Sequence, residues 1–238
     1  LCCFCRLLLH GKKRALIDTG FAMTSASASA PAPAPAPIAS ADEVLQFWLG
    51  SARPSNSEAL QHKQQWFSKS DAFDARIRTH FGATVQAALK GDLPGWTEGV
   101  WDTLARIIVL DQFTRNIYRG TPESFAGDPL ALQLALGLCD SGQDQALPAV
   151  VRVFVYLPLE HAEDAALQQR SVDLFAQLRD SHPEPAELQT YLQGTWDYAL
   201  RHQAVITRFG RFPHRNAILG RSSTPQERDY LAQPGAGF

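Results

Sequence analysis

The chain has 238 residues with 22 basic and 24 acidic side chains, a formal charge of −2. Setting aside the four bases and one acid of residues 1–39, the rest carries 18 basic and 23 acidic residues, or about −5, which argues against nucleic acid or an anionic membrane surface as a general partner. There is no run of about eighteen apolar residues to span a membrane. Cys139 is the only cysteine after residue 5, which excludes a disulfide framework and suits a reducing, cytoplasmic setting.

Residues 1–39 read as a disordered extension. Positions 24–40 (TSASASAPAPAPAPIAS) are almost entirely Ala, Pro and Ser, a composition that forms an extended linker and buries no core. Met23 is a possible true start, with a basic organellar transit peptide as the alternative account of the preceding residues. Residues 40–238 are expected to form a single helical domain.

From residue 40 the signals are helical. Ser40 and Glu43 make a capping box before ADEVLQFWLG, which ends at Gly50 with Phe47 and Trp48 as anchors. Helix resumes over Glu58–Phe67, with Trp66 and Phe67 inward. Asp71 caps a helix whose Phe73, Ile77, Phe81, Val85 and Leu89 keep a four-residue spacing, broken by Gly91, Pro94 and Gly95. WDTLARIIVLDQFTRNIYRG, residues 101–120, is so apolar between Leu104 and Leu110 that it should be buried nearly all round. Asp128-Pro129 opens the next helix, which runs to about Gly142 with Cys139 on its apolar face. An apolar run spans Ala149–Leu157, and Pro158 should start a helix that passes through EHAED (160–164) to about Arg179. Ala186–Phe209 is a long helix, 210–220 is irregular, and Thr224 caps a last short helix. No segment alternates with period two. The predicted fold is all-α, a bundle or array of about eight or nine helices.

The segments VLQFWLG (44–50), LDQFTRNIYRGTPESFAGDPLAL (110–132), FVYLPLEHAEDAALQQRSVDLF (154–175) and RFGRFPHRNAILGRSSTPQE (208–227) resemble a bacterial helical family, the domain of unknown function 924 family. The resemblance covers roughly residues 40–238. It implies a tetratricopeptide-like helical array, although that repeat's aromatic and glycine signature is missing here. Thr114 departs from the family pattern, which has proline at that position. The resemblance brings no reaction with it, so function has to be argued from residues.

Charges in the buried 101–120 helix need partners. Asp111, Arg115 and Arg119 share a face at i, i+4, i+8, with Asn116 beside them. EHAED offers Glu160, His161, Glu163 and Asp164, and on one continuous helix Glu160, Asp164 and Gln168 form a stripe. RFGRFPHRNAILGR offers Arg208, Arg211, His214, Arg215 and Asn216, donors suited to carboxylates or phosphates. These three segments are expected to meet in one polar centre. His161 with Asp164 is a weak metal-ligand pair, and the plainer account has the acids pairing with the arginines, so no metal is assigned. His202 reads as a core histidine. Three functions follow. One is a binder of a small anionic ligand or acidic peptide end through Arg115, Arg208, Arg211 and Arg215. Another is a hydrolase or lyase on a phosphorylated or carboxylated metabolite, using His161 or His214 with Glu160. The last is a scaffold whose salt-bridged centre is closed. Nothing in the sequence names a cofactor or an oligomeric state.

Overall fold

A computed structural model describes residues 37–237. The expectations for the N-terminal extension and for Met23 lie outside the described residues. Among the described residues there is no strand, and the architecture is an all-α array. No described helix is long and apolar enough to cross a membrane.

α1 (Ala41–Leu49) carries the expected Ser40–Glu43 capping box and ends on Gly50 in the left-handed region. The predicted 58–67 helix is two short pieces, α2 (Asn56–Leu60) and α3 (Lys63–Trp66), the first with its own Ser55–Glu58 box. Phe67 was expected inside, yet it is 58% exposed, because α3 ends at Trp66. α4 (Asp71–Leu89) is capped by Ser70 rather than Asp71. α1 and α4 supply an aromatic cluster in which Phe47, Trp48, Phe73 and Phe81 pack with Phe113, the ring centroids of Phe81 and Phe113 lying 5.0 Å apart.

The central helix is not continuous. α5 (Val100–Ile107) passes into one turn and a half of π-helix at Ile108–Phe113 and then into α6 (Thr114–Ile117). Every residue of the π segment is buried. Such a segment widens the turn and re-aims side chains that a regular helix would carry elsewhere. Thr114 sits at its end, and its hydroxyl donates to the Leu110 carbonyl at 2.6 Å. That carbonyl lies against α7 (Asp128–Ser141). A Cβ at Gly127 would come within 2.1 Å of the Leu110 oxygen, so the first turn of α7 meets the π segment at a spacing that only glycine permits. Gly127 rather than Asp128 is the N-cap, which leaves the Asp128 carboxylate free for other partners.

α8 (Ala149–Glu160) is buried along its whole length, packed on by α2, α5, α7, α9 and α10. Pro158 does not open a helix; it lies inside the last turn of α8. Residues 161–164 form the break, because the Asp164 carboxylate accepts from the Leu167 N–H at 2.9 Å and caps α9 (Ala165–Asp180). EHAED is therefore a helix–turn–helix junction, and the Glu160–Asp164–Gln168 stripe does not exist. Instead Gln168 Nε2 donates to the carbonyls of Glu160 and Ala162, tying the junction shut. α10 (Ala186–Phe209) pairs along α9, and α11 (Pro225–Leu231) closes the described chain beyond the irregular 210–220 segment.

Gly127→Ala should destabilise the protein by about 3 kcal/mol, at the upper end for overpacking, since the obstacle is backbone rather than a movable side chain. Denaturant unfolding checks this. A loss well under 1 kcal/mol would mean that the α7–π junction has slack.

Candidate functional site

The three predicted segments do meet, at the point where the π segment faces the α8–α9 junction. Asp111, 1% exposed, is the hub. His161 Nδ1 donates to its Oδ1 at 2.7 Å, Arg115 Nη1 lies 3.1 Å from the same oxygen, and Gln112 Nε2 donates to Oδ2. Burial alone would raise the Asp111 carboxyl, but the charge of Arg115 and the His161 hydrogen bond outweigh it and hold the group well below the usual carboxylate range. Asp111 is thus an ionised carboxylate in a dry site. Because His161 gives its Nδ1 proton to Asp111, the neutral ring has Nε2 as its acceptor. Burial and the nearby Arg115 charge push the His161 pKa below its ordinary value, so the ring is neutral near pH 7.

Arg115 also grips Asp128 with two parallel bonds, Nη1 to Oδ1 at 2.7 Å and Nη2 to Oδ2 at 3.0 Å. Arg215 stands on the other side of Asp128. Its Nη2 donates to the His161 carbonyl at 3.0 Å, and its guanidinium lies between the rings of Phe125 and Phe212, 4.7 and 4.6 Å from their centroids.

Glu160 is the second buried acid. Desolvation, and then the negative charge of Asp111, push its pKa up to about 8, so it is neutral where Asp111 is charged. Its Oε1 lies 3.0 Å from His202 Nδ1, while its buried Oε2 has no hydrogen-bond partner. The sequence makes His202 a core histidine. It is buried and donates to the Tyr198 carbonyl at 2.9 Å, with its pKa lowered to about 3 chiefly by burial. It is therefore a neutral wall of this same centre. His214 is also near, its ring 5.6 Å from that of Phe212 and its pKa lowered to about 4 by burial and then by the charge of Arg215.

Six predicted residues are brought together: Asp111, Arg115, Glu160, His161, His214 and Arg215. Others belong elsewhere. Asn116 and Arg119 both turn to Asp74 on α4, with Arg119 Nε 2.8 Å from Oδ2 and Asn116 Nδ2 2.7 Å from Oδ1. Asn116 is five residues on from Asp111 and so on another face of the helix, and Arg119 lies beyond the end of α6 at Ile117. Arg208 is exposed, lying over Phe209 and Tyr230. Arg211 is held by Glu227 at 2.7 Å. Glu163 pairs with Arg221 and accepts from the Phe212 N–H, which fastens the 210–220 segment over the junction. Asn216 accepts from Arg221 Nε and donates to Ser223 inside that segment, and Asp164 is an exposed cap.

Sequence reasoning missed Asp128, Phe125 and Phe212 as members of the centre. Asp128 was hidden by its Asp-Pro context, which reads as a cap. The signal that points to it is Gly127, a competent cap one residue earlier. Among the described residues no group of three or more His, Cys, Asp and Glu is placed to hold a metal ion.

These features define an all-α protein with a buried Asp–His–Arg centre built from helix junctions. The chain belongs to the family described as bacterial protein of unknown function (DUF924), whose model matches residues 44–235. It is similar to the solved structure of a protein of unknown function, ATU0120 from Agrobacterium tumefaciens. The two are 39% identical, with 81% of this chain and 96% of that one covered, at a TM-score of 0.65. No curated protein matches the chain.

Glu160 makes stability depend on pH. Its folded pKa, about 8, exceeds its ordinary 4.5, so the folded state holds the proton more tightly and stability falls as pH rises between those values. Glu160→Gln removes this dependence. Relative to wild type, the variant should gain on the order of 2–4 kcal/mol in unfolding free energy between pH 5 and pH 8.5. A difference that stays constant with pH would show Glu160 already ionised.

Proposed function

We propose that this centre is a general acid–base site acting on a small carboxylated or phosphorylated metabolite, as a hydrolase or lyase. The observation that carries the reading is the 2.7 Å hydrogen bond from His161 Nδ1 to the buried, ionised Asp111. A carboxylate in that position selects one imidazole tautomer and stabilises the imidazolium once the ring has taken a proton. His161 is the base, accepting a proton at Nε2 from water or substrate. Asp111 orients it, and Gln112 and Arg115 fix Asp111 in turn. Neutral Glu160 keeps a second negative charge away from Asp111. Splitting two neighbouring carboxyls into one charged and one neutral is a pattern of acid–base sites. The π segment that carries Asp111 agrees, since such segments concentrate at functional positions.

A second reading, a structural clasp, is favoured by one observation: Arg115, Arg119, Arg211 and Arg221 each have a carboxylate partner. The two readings separate in histidine NMR and in turnover. The acid–base reading expects His161 to be neutral with its proton on Nδ1 at pH 7, and Asp111→Asn to mix the tautomers. Any small ester or phosphoester the protein turns over should lose at least about 100-fold in kcat in His161→Gln. The rate should rise with pH through the depressed His161 pKa and fall near pH 8, and Glu160→Gln should flatten the alkaline limb. A protonated Nε2 in wild type, or turnover unchanged in His161→Gln, would overturn the reading.

A further inference from the structure

Arg215 is the cation of the centre that makes no hydrogen bond to an acid. Arg115 holds both oxygens of Asp128 and reaches Asp111 as well. Arg215 Nη1, by contrast, stops 3.6 Å from Asp128 Oδ2, beyond hydrogen-bond range. The side chain donates instead to a backbone carbonyl, that of His161. Its Nε is buried without an acceptor, and the residue is 7% exposed. A buried guanidinium in this condition is costly unless an anion completes it. The two rings that sandwich it, Phe125 and Phe212, leave its edge as the place where a partner can bind. They also hold the fork in one plane, the preorganisation that favours bidentate capture of an oxyanion.

We propose that Arg215 is the recognition residue for the substrate's oxyanion, a carboxylate or phosphate group seated at the junction of Arg215, Asp128 and the His161 turn. The inference rests on the acid–base reading of the same centre and names what the substrate must carry. Both oxygens of Asp128 already accept from Arg115, but its negative charge remains close by, which favours a compact anion of low charge over a polyanion. Of the equal candidates from the sequence, Arg211 and Arg115 are already paired with carboxylates, and Arg208 lies away from the centre over Phe209 and Tyr230.

The test uses the full chain with arginine and histidine side chains labelled for NMR. Orthophosphate and acetate are titrated separately at constant ionic strength, with sodium chloride as the control. The Arg215 Nε–H signal, assigned by its loss in Arg215→Lys, should shift and saturate in the millimolar range with one of the two oxyanions and not with chloride. The anion that saturates it identifies the group as phosphate or carboxylate. Arg215→Lys should weaken that binding by roughly 10- to 100-fold, the loss of a charge-assisted hydrogen bond, while Arg208→Gln leaves it unchanged. Absence of saturation by either anion in wild type, or equal shifts with chloride, overturns the proposal without recourse to a variant. The same spectra report the His161 tautomer. No anion binding with His161 protonated on Nδ1 sinks the oxyanion inference alone. Anion binding with the proton on Nε2 sinks the acid–base reading and leaves Arg215 as a binding residue.

Discussion

A single negative charge with almost no access to water, that of Asp111, is the constraint from which the centre follows. An isolated carboxylate at such depth would take up a proton. It stays ionised because a guanidinium, an imidazole N–H and an amide N–H all point at its two oxygens. Each donor comes with conditions. Arg115 must lie one turn further along the same helix, and His161 must be held at the end of α8. Gln112 must be turned to the same side as its neighbour. The fold around residue 111 meets these conditions together.

The π segment is what reconciles them with the aromatic core. Within Ile108–Phe113, Phe113 packs into the rings of α1 and α4, whereas Asp111 and Gln112 serve the polar side. Sliding the frame by one residue would cost either the aromatic anchor or the charge network. The junction with α7 locks that frame. Gly127 allows α7 to start against the Leu110 carbonyl, and this places Asp128, the next residue, within reach of Arg115. Apolar packing and electrostatics are thus set by the same few backbone positions.

The charges sort into pairs with distinct jobs. Asp74 with Arg119, Glu227 with Arg211 and Glu163 with Arg221 fasten one element to another near the surface, where such pairs contribute little each. Asp111, Asp128, Arg115 and Arg215 form a quartet of two acids and two arginines, in which Asp111 and Arg215 are buried while Arg115 and Asp128 are partly exposed. Removing the Arg115 or His161 donor leaves the buried Asp111 charge uncompensated, where truncating one partner is typically far more damaging than losing a surface pair. This difference separates the centre from the clasps around it.

Much of the fold was legible in the chain because helices announce themselves locally. The Ser40–Glu43 box, the four-residue spacing of Phe73, Ile77, Phe81 and Val85, and the apolar run of α8 each depend only on neighbours in sequence. The meeting of the 101–120, 160–164 and 208–221 segments was legible too, since a buried helix carrying Asp111 and Arg115 must find counter-charges somewhere. Local signals failed where two rules competed. Pro158 looked like a helix start, but the cap set by Asp164 put the break after it, and Asp128 looked like a cap when Gly127 took that place. Partner choice was decided by tertiary structure alone. Arg119 and Arg115 share a face in a regular helix, but α6 ends at Ile117, so Arg119 lies past the helix end and pairs with Asp74 on α4, while Arg115 stays in α6 and meets Asp111 and Asp128. The sequence determined that charges would be buried and which segments would carry them. The three-dimensional packing decided which charge answers which, because that depends on distances of a few ångströms between residues far apart in the chain.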